Sequence, residues 1–496
     1  MIPSGYKEDV VYSPVPTDGS GDLSFTRASN GTRINSAGLV EDCPWNLLQQ
    51  SETFDNAAWV KTNSTITANA IAAPNGTLTA DKIVQANGTD GIIAQSQSYI
   101  AGTAYSLNIY AKKEAFNFLL IGFPSSAFPA SNRLGLFNLQ TGAVASSSQS
   151  GINAQIESVG NDWFRCSISV TATTTTTGNI IVAARSSDSL TSLGNGTSGI
   201  YIWGAQLNIG STSKPYFPTT DRLNVPRLTY QNGGGGCPSL LLEKQSTNLA
   251  QYSEQFDNAY WSKTNATISA NNTTSPDGTQ NADLIIADTT NGVHQFRTTI
   301  SSVTAQNYTM SIFAKKSGIN FIRFWEDGQT GKQCYFNLNT GVATNVDMTS
   351  VSIENIGNGW YRCIAVVPIP ASGVFGFRVL VSQDGSATAY SGNGTDGVYI
   401  YGAQLEASSY VTTLIPTTSA SATRVADACY KTGTSSLIGQ TEGTLFADVI
   451  LPSTNDSGRV LVISGGSNRV GITLSGTTAG FFIVTGGGGV IFSSVA

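Results

Sequence analysis

Histidine occurs once in 496 residues, at position 294. A lone imidazole leaves histidine-dependent triads and multi-histidine zinc sites without their parts inside one chain. Position 294 also has no histidine in the chain's internal duplicate, so His294 reads as incidental to function. The strings GxSxG, GxxxxGK[ST] and HExxH are absent, which removes the common nucleophile, phosphate-cradle and zinc-protease signatures. Carboxylates remain, 32 of them, and paired acids can hydrolyse glycosides. The acids that stand out recur in the duplicate: Glu52 with Glu254, Asp55 with Asp257, Asp81 with Asp283. Acids repeated in both copies serve structure more naturally than catalysis, so the chain is expected not to be an enzyme. The best ligand candidate is an aromatic that is not repeated. Trp325 stands where the other copy has Gly122, with Arg323, Glu326 and Asp327 beside it. An indole among hydrogen-bonding charges suits a polar ligand.

The elements that hold these residues come from a duplication. Residues 46–69 and 248–271 agree at 17 of 24 positions, including Ser-Glu-x-Phe-Asp-Asn-Ala-x-Trp-x-Lys-Thr-Asn. The spacing of 202 residues is several times that of a solenoid repeat, so a whole domain was copied. Matches continue through Phe137–Gly142 and Phe336–Gly341, Trp163–Cys166 and Trp360–Cys363, and Tyr201–Leu207 and Tyr399–Leu405. Apolar residues alternate, as in Tyr105, Leu107 and Ile109, and Asn-Gly or Asp-Gly pairs punctuate the runs. These are strand and turn signals. The expected fold is all-β: two tandem antiparallel jelly-roll sandwiches at 46–220 and 248–418, and an incomplete third sandwich at 444–496. Residues 1–45 form an N-terminal segment. Residues 221–247 and 419–443 are linkers, the first carrying Gly233 to Gly236 as a turn or hinge. The repeated Trp59/Trp261, Trp163/Trp360 and Trp203/Tyr401 lie in apolar runs and are expected in the cores.

Composition narrows the partners. Charged residues are 12% and hydrophobic ones 40%, with a net charge of −6. Such a chain is ordered and offers no basic run for nucleic acid. No apolar stretch approaches the ~18 residues of a membrane span, and residues 1–9 lack the features of a secretory signal. Six scattered cysteines without CxxC fit folding in a reducing compartment. The Asn-Gly-Thr sequons at 75, 87 and 195 are chance matches in such a composition.

The ordered set Asn-Leu…Ser-Glu…Phe-Asp-Asn…Trp…Lys, Pro-Asp/Asn-Gly-Thr, Gly-Asn-Gly-Trp-Tyr-Arg-Cys, Gly-Ala-Gln-Leu and Ile-Pro-Thr-Thr resembles the carbohydrate-binding-module-like jelly rolls of tailed-bacteriophage fibre and appendage proteins. Residues 25–41 resemble the segment that precedes such modules. Residues 431–446 resemble the opening of a concanavalin A-like lectin/glucanase sandwich, which would continue past Ala496. The resemblance implies a virion protein folded in the host cytoplasm, a tail fibre or spike that contacts host-surface polysaccharide. It implies attachment to other virion proteins through residues 1–45, and a homo-oligomer, by family analogy a trimer. For Trp325, Arg323, Glu326 and Asp327 it implies a glycan as ligand. It also implies a structural calcium site, for which Glu254 and Glu406 are the candidates. Competing readings are a head fibre or decoration protein without a receptor role, a depolymerase whose catalytic part lies beyond residue 496, and a secreted carbohydrate-binding protein.

Overall fold

The computed structural model describes residues 23–221, 224–230, 234–384 and 389–433, with strands at 5–7 and 10–12, residues 449–450, and four strands between 457 and 494. Every regular element among the described residues is a β-strand. The chain divides into two compact units, one of residues 42–225 and one of residues 1–41 with 226–496.

Each copy of the repeat is a sandwich of two six-stranded antiparallel sheets with the same strand order. In the second copy one sheet runs Ser350–Gly357, Trp360–Ile369, Gln306–Ser317, Gly397–Glu406, Gln280–Ala287, Ala266–Thr274. The facing sheet runs Val342–Asn345, Gln333–Asn337, Phe321–Glu326, Gly373–Ser382, His294–Val303, Ser262–Thr264. Alternate residues of both sheets meet between them. Met310 and Ile312 come from one, and Ile322, Phe324, Val379 and Phe296 from the other. All six repeated aromatics are buried, none more than 5% exposed.

The duplicated string is the closing clamp of each sandwich. Asn46 donates to the carbonyls of Ala205 and Phe217 and accepts from the Leu48 and Leu207 amides. Asn248 repeats all four bonds on Ala403, Ile415, Ala250 and Leu405. A buried amide satisfied on both ends fixes where the first strand leaves the barrel-like edge. Asp81 accepts the Phe54 and Asn69 amides, and Asp283 those of Phe256 and Asn271. Lys61 and Lys263 each donate to two turn carbonyls. The repeated Gly-Ala-Gln-Leu has a steric cause. Gly402 has φ of 62° at a register shift opposite Ser311 and Phe313. That bulge switches the strand's phase, so Val398 and Ile400 before it and Ala403 and Leu405 after it all reach the core. Gly204 does the same in the first copy.

The segments outside the two sandwiches fold together. Ser24–Thr26 pairs with Ala428–Tyr430, Arg227–Thr229 with Ser239–Leu241, and Ser246–Asn248 with Ala422–Arg424. Arg27, Arg227 and Arg424 meet there, none more than 1% exposed. Asp427 accepts from Arg27 at 3.0 Å, from Arg227, and from the Glu243 amide at 2.8 Å. Glu243 pairs with Arg227 at 2.8 Å and Arg424 at 3.4 Å. Val40 and Ile34 pack on Phe313, Trp360, Tyr401 and Leu414 of the second sandwich. Much of the N-terminal segment and the first linker is thus built into a hub on the second module. The glycine run is part of it. Gly234, Gly235 and Gly236 all have positive φ, and a Cβ on Gly234 would lie 2.3 Å from the Gly38 nitrogen. Of the turn or hinge expected for the run, residues 234–236 form a docked turn, made possible by backbone that only glycine supplies cheaply.

Near the C-terminus, Ser457–Gly465, Asn468–Ser475, Thr478–Thr485 and Gly488–Ser494 form a four-stranded antiparallel meander. Residues 434–448, which carry most of the lectin-sandwich resemblance, lie outside the described residues.

Candidate functional site

Trp325 sits on the outer face of the second module's facing sheet. Along Phe321–Glu326 the side chains alternate: Ile322 and Phe324 enter the core, and Arg323 and Trp325 face outward. Register carries the face across four strands. Arg297 lies opposite Arg378, Arg378 opposite Trp325, and Trp325 opposite Gln333. The next row holds Leu380, Arg323 and Tyr335.

The two copies differ completely here. The corresponding first row in the first module is Ala94, Ile181, Gly122 and Leu134, and the second is Ala183, Leu120 and Leu136. Ile181, Leu134, Ala183, Leu120 and Leu136 of these rows belong to one apolar cluster with Ala145 and Leu190. A Cβ on Gly122 would lie 2.3 Å from Leu134 Cδ2. The leucine occupies the space that an indole takes in the second copy.

On the second module the face is polar and partly open. The Arg378 guanidinium stacks over the Trp325 ring at 4.5 Å from its centroid, and Arg323 over Tyr335 at 5.6 Å. Such cation–π contacts hold a half-buried ring at a fixed tilt. Arg378 also donates to Gln295. Asp327 Oδ2 accepts both Arg297 at 3.2 Å and Arg378 at 3.5 Å. Burial lowers the Arg378 pKa, Asp327 opposes the shift, and the charge of Arg297 adds to it. Three inward-held polar atoms have no hydrogen-bond partner: Trp325 Nε1, Asp327 Oδ1 and Gln333 Oε1. What the face presents is a half-buried aromatic ring beside guanidinium donors, which suits a polar ligand.

Glu326 belongs elsewhere. Its carboxylate is fully buried and accepts the amides of Gly328 at 2.7 Å, Thr330 at 2.7 Å and Gly376 at 3.1 Å, with the Thr330 hydroxyl at 2.7 Å. Burial works to raise its pKa, but these bonds outweigh it and hold the pKa below the ordinary value. Glu326 therefore caps the turn after the strand, and among the four sequence candidates Trp325, Arg323 and Asp327 share the face. Sequence reasoning missed Arg297, Arg378, Gln333 and Tyr335. The signal was available: each replaces an apolar residue of the first copy, the same contrast that singled out Trp325.

The two carboxylates considered for calcium have separate partners. Glu254 accepts the Tyr401 hydroxyl at 2.6 Å. Glu406 accepts the Ser246 hydroxyl at 2.6 Å and the Thr412 amide at 3.0 Å. Among the described residues no group of three or more His, Cys, Asp or Glu side chains is placed to hold a metal ion. A cleft of about 340 Å³ opens beside Glu406, but its hydroxyls from Ser246 and Thr412 are already turned to that carboxylate. His294 is fully buried, with its ring nitrogens 2.5 Å from the Asn265 carbonyl and 2.9 Å from that of Tyr390. It ties two loops together and offers no reactive nitrogen to solvent.

The sequence matches no protein-family model and no curated protein. Among solved structures, the chain is similar to the enzymatically active domain of tailspike protein 4 of bacteriophage CBA120, at 15% identity and a TM-score of 0.22, over 32% of this chain and 21% of that one. It is also similar to xanthan lyase of Paenibacillus, at 12% identity and a TM-score of 0.18, over 69% of this chain and 25% of that one. The matched regions span a quarter or less of those proteins. No helix among the described residues is long and apolar enough to cross a membrane.

Proposed function

We propose that this chain is a structural, carbohydrate-contacting component of a tailed-phage particle, a tail fibre or spike, and that its second module holds glycan on the Trp325 face. The observation that carries the reading is the contrast between the copies. One fold presents Ala94, Ile181, Gly122 and Leu134 in the first module and Arg297, Arg378, Trp325 and Gln333 at the same positions in the second. The first copy closes this sheet face by apolar packing. Keeping half-buried cations there instead is costly, and a ligand that hydrogen-bonds them offsets that cost. The sequence resemblance to phage fibre modules supplies the particle, the trimer and the attachment to other virion proteins.

The test is binding of the full chain to a broad glycan array and to polysaccharide from candidate hosts. Trp325→Ala is expected to lower retention on the bound glycans about ten-fold or more, the scale of losing one aromatic contact. Unchanged binding in that variant removes the face from the reading. Labelling of intact particles by antibodies to the chain tests the virion assignment. A reducing-end assay on the bound polysaccharide distinguishes adhesion from depolymerisation.

A further inference from the structure

Two positive charges on this face share one carboxylate oxygen. Arg297 and Arg378 both reach Asp327 Oδ2, at 3.2 and 3.5 Å, and among the described residues neither forms another ion pair. They stand directly opposite one another on adjacent strands. The side chain of Arg297 is 37% exposed, while that of Arg378 is 15% exposed and lies on the indole. Glu326, adjacent in sequence, is turned into the 328–330 loop and fully occupied there. The face is therefore one anion short at the rim of the tryptophan. A neutral sugar leaves that deficit in place. A planar carboxylate fills it, because the guanidinium fork takes both of its oxygens at once.

Building on the glycan reading of this face, we propose that its ligand is an acidic saccharide chain of the polyuronate type. Trp325 takes the ring and Arg297 with Arg378 takes the carboxylate.

The experiment measures affinity of the full chain for a galacturonate oligomer and for its carboxyl-reduced counterpart, by calorimetry, in wild type, Arg297→Ala and Trp325→Ala. Arg297 is the variant of choice because its exposure lets it be truncated without opening the core. The expected result is about ten-fold or more preference for the acidic oligomer. That preference is lost in Arg297→Ala, both ligands are lost in Trp325→Ala, and added salt weakens only the acidic one. Equal affinity for both oligomers, abolished by Trp325→Ala, overturns the acidic class and leaves the glycan face standing. Acidic binding that survives Trp325→Ala overturns both. No binding of either oligomer to wild type overturns the acidic class, and the glycan array then judges the face on its own.

Discussion

Replacing Asp427 by Asn tests whether the hub is an integral part of the second unit. The Asp427 side chain is fully buried and anchors two arginines whose side chains are also fully buried. Its oxygens take Arg27 at 3.0 Å, Arg227, and the Glu243 amide at 2.8 Å. The amide keeps the shape and removes the charge. Glu243 keeps its pairs with Arg227 and Arg424, and the Arg27–Asp427 pair is lost. Breaking a buried ion pair by neutralising one member costs about 3–5 kcal/mol. For a unit of this size that corresponds to a fall in Tm on the order of 10 °C. Calorimetric and urea unfolding of the full chain measure it. A double-mutant cycle with Arg27→Met isolates the pair, and a coupling of about 1 kcal/mol or more is expected for groups in direct contact. A loss below about 1 kcal/mol for Asp427→Asn, or additivity within about 0.5 kcal/mol, would refute the claim that these segments fold as one buried network.

Two further outcomes follow from the sandwiches. Gly122→Trp forces an indole into space already filled by Leu134 and Ile181. It should destabilise the first module by about 3 kcal/mol or more, and thermal unfolding no worse than wild type would contradict the packing described. Asp283 is 2% exposed, and burial, opposed by the Asn271 and Phe256 amides, raises its pKa to about 6. Its folded-state pKa lies above the unfolded value, so the folded protein binds the extra proton. Stability from this group is gained as the pH falls through about 6 and lost as it rises, on the order of 2 kcal/mol between about pH 4 and 7. Subtracting the pH profile of Asp283→Asn should reveal that slope, and coincident profiles would show that the group does not titrate in this window.

The sandwiches were legible because duplication doubled every signal. Tyr308, Met310 and Ile312 alternate as their counterparts do, and all three are buried. The hub was not legible. Its strands are three residues long and come from positions some 200 and 400 residues apart, and arginines read as surface charge because full burial is rare for them. The candidate site was half legible. Comparing the copies exposed Trp325, and period-two alternation alone would have turned Glu326 inward with Ile322 and Phe324. Arg297 and Arg378 join the site through strand register, a relation between distant segments that no local pattern carries.

The hub also sets an order of events during synthesis. Arg27 and its partner Asp427 are 400 residues apart in the chain. At ordinary elongation rates of about 5–20 residues per second, Arg27 waits roughly 20–80 s for that carboxylate to be made. Both sandwiches have all their strands before then and can close as separate units. Throughout that interval Ile34 and Val40, later packed on Trp360 and Tyr401, have no finished surface to rest on. The nascent chain thus carries Arg27, Ile34 and Val40 without their partners until Asp427 has been made, and the strap is fastened only after both sandwiches have their strands.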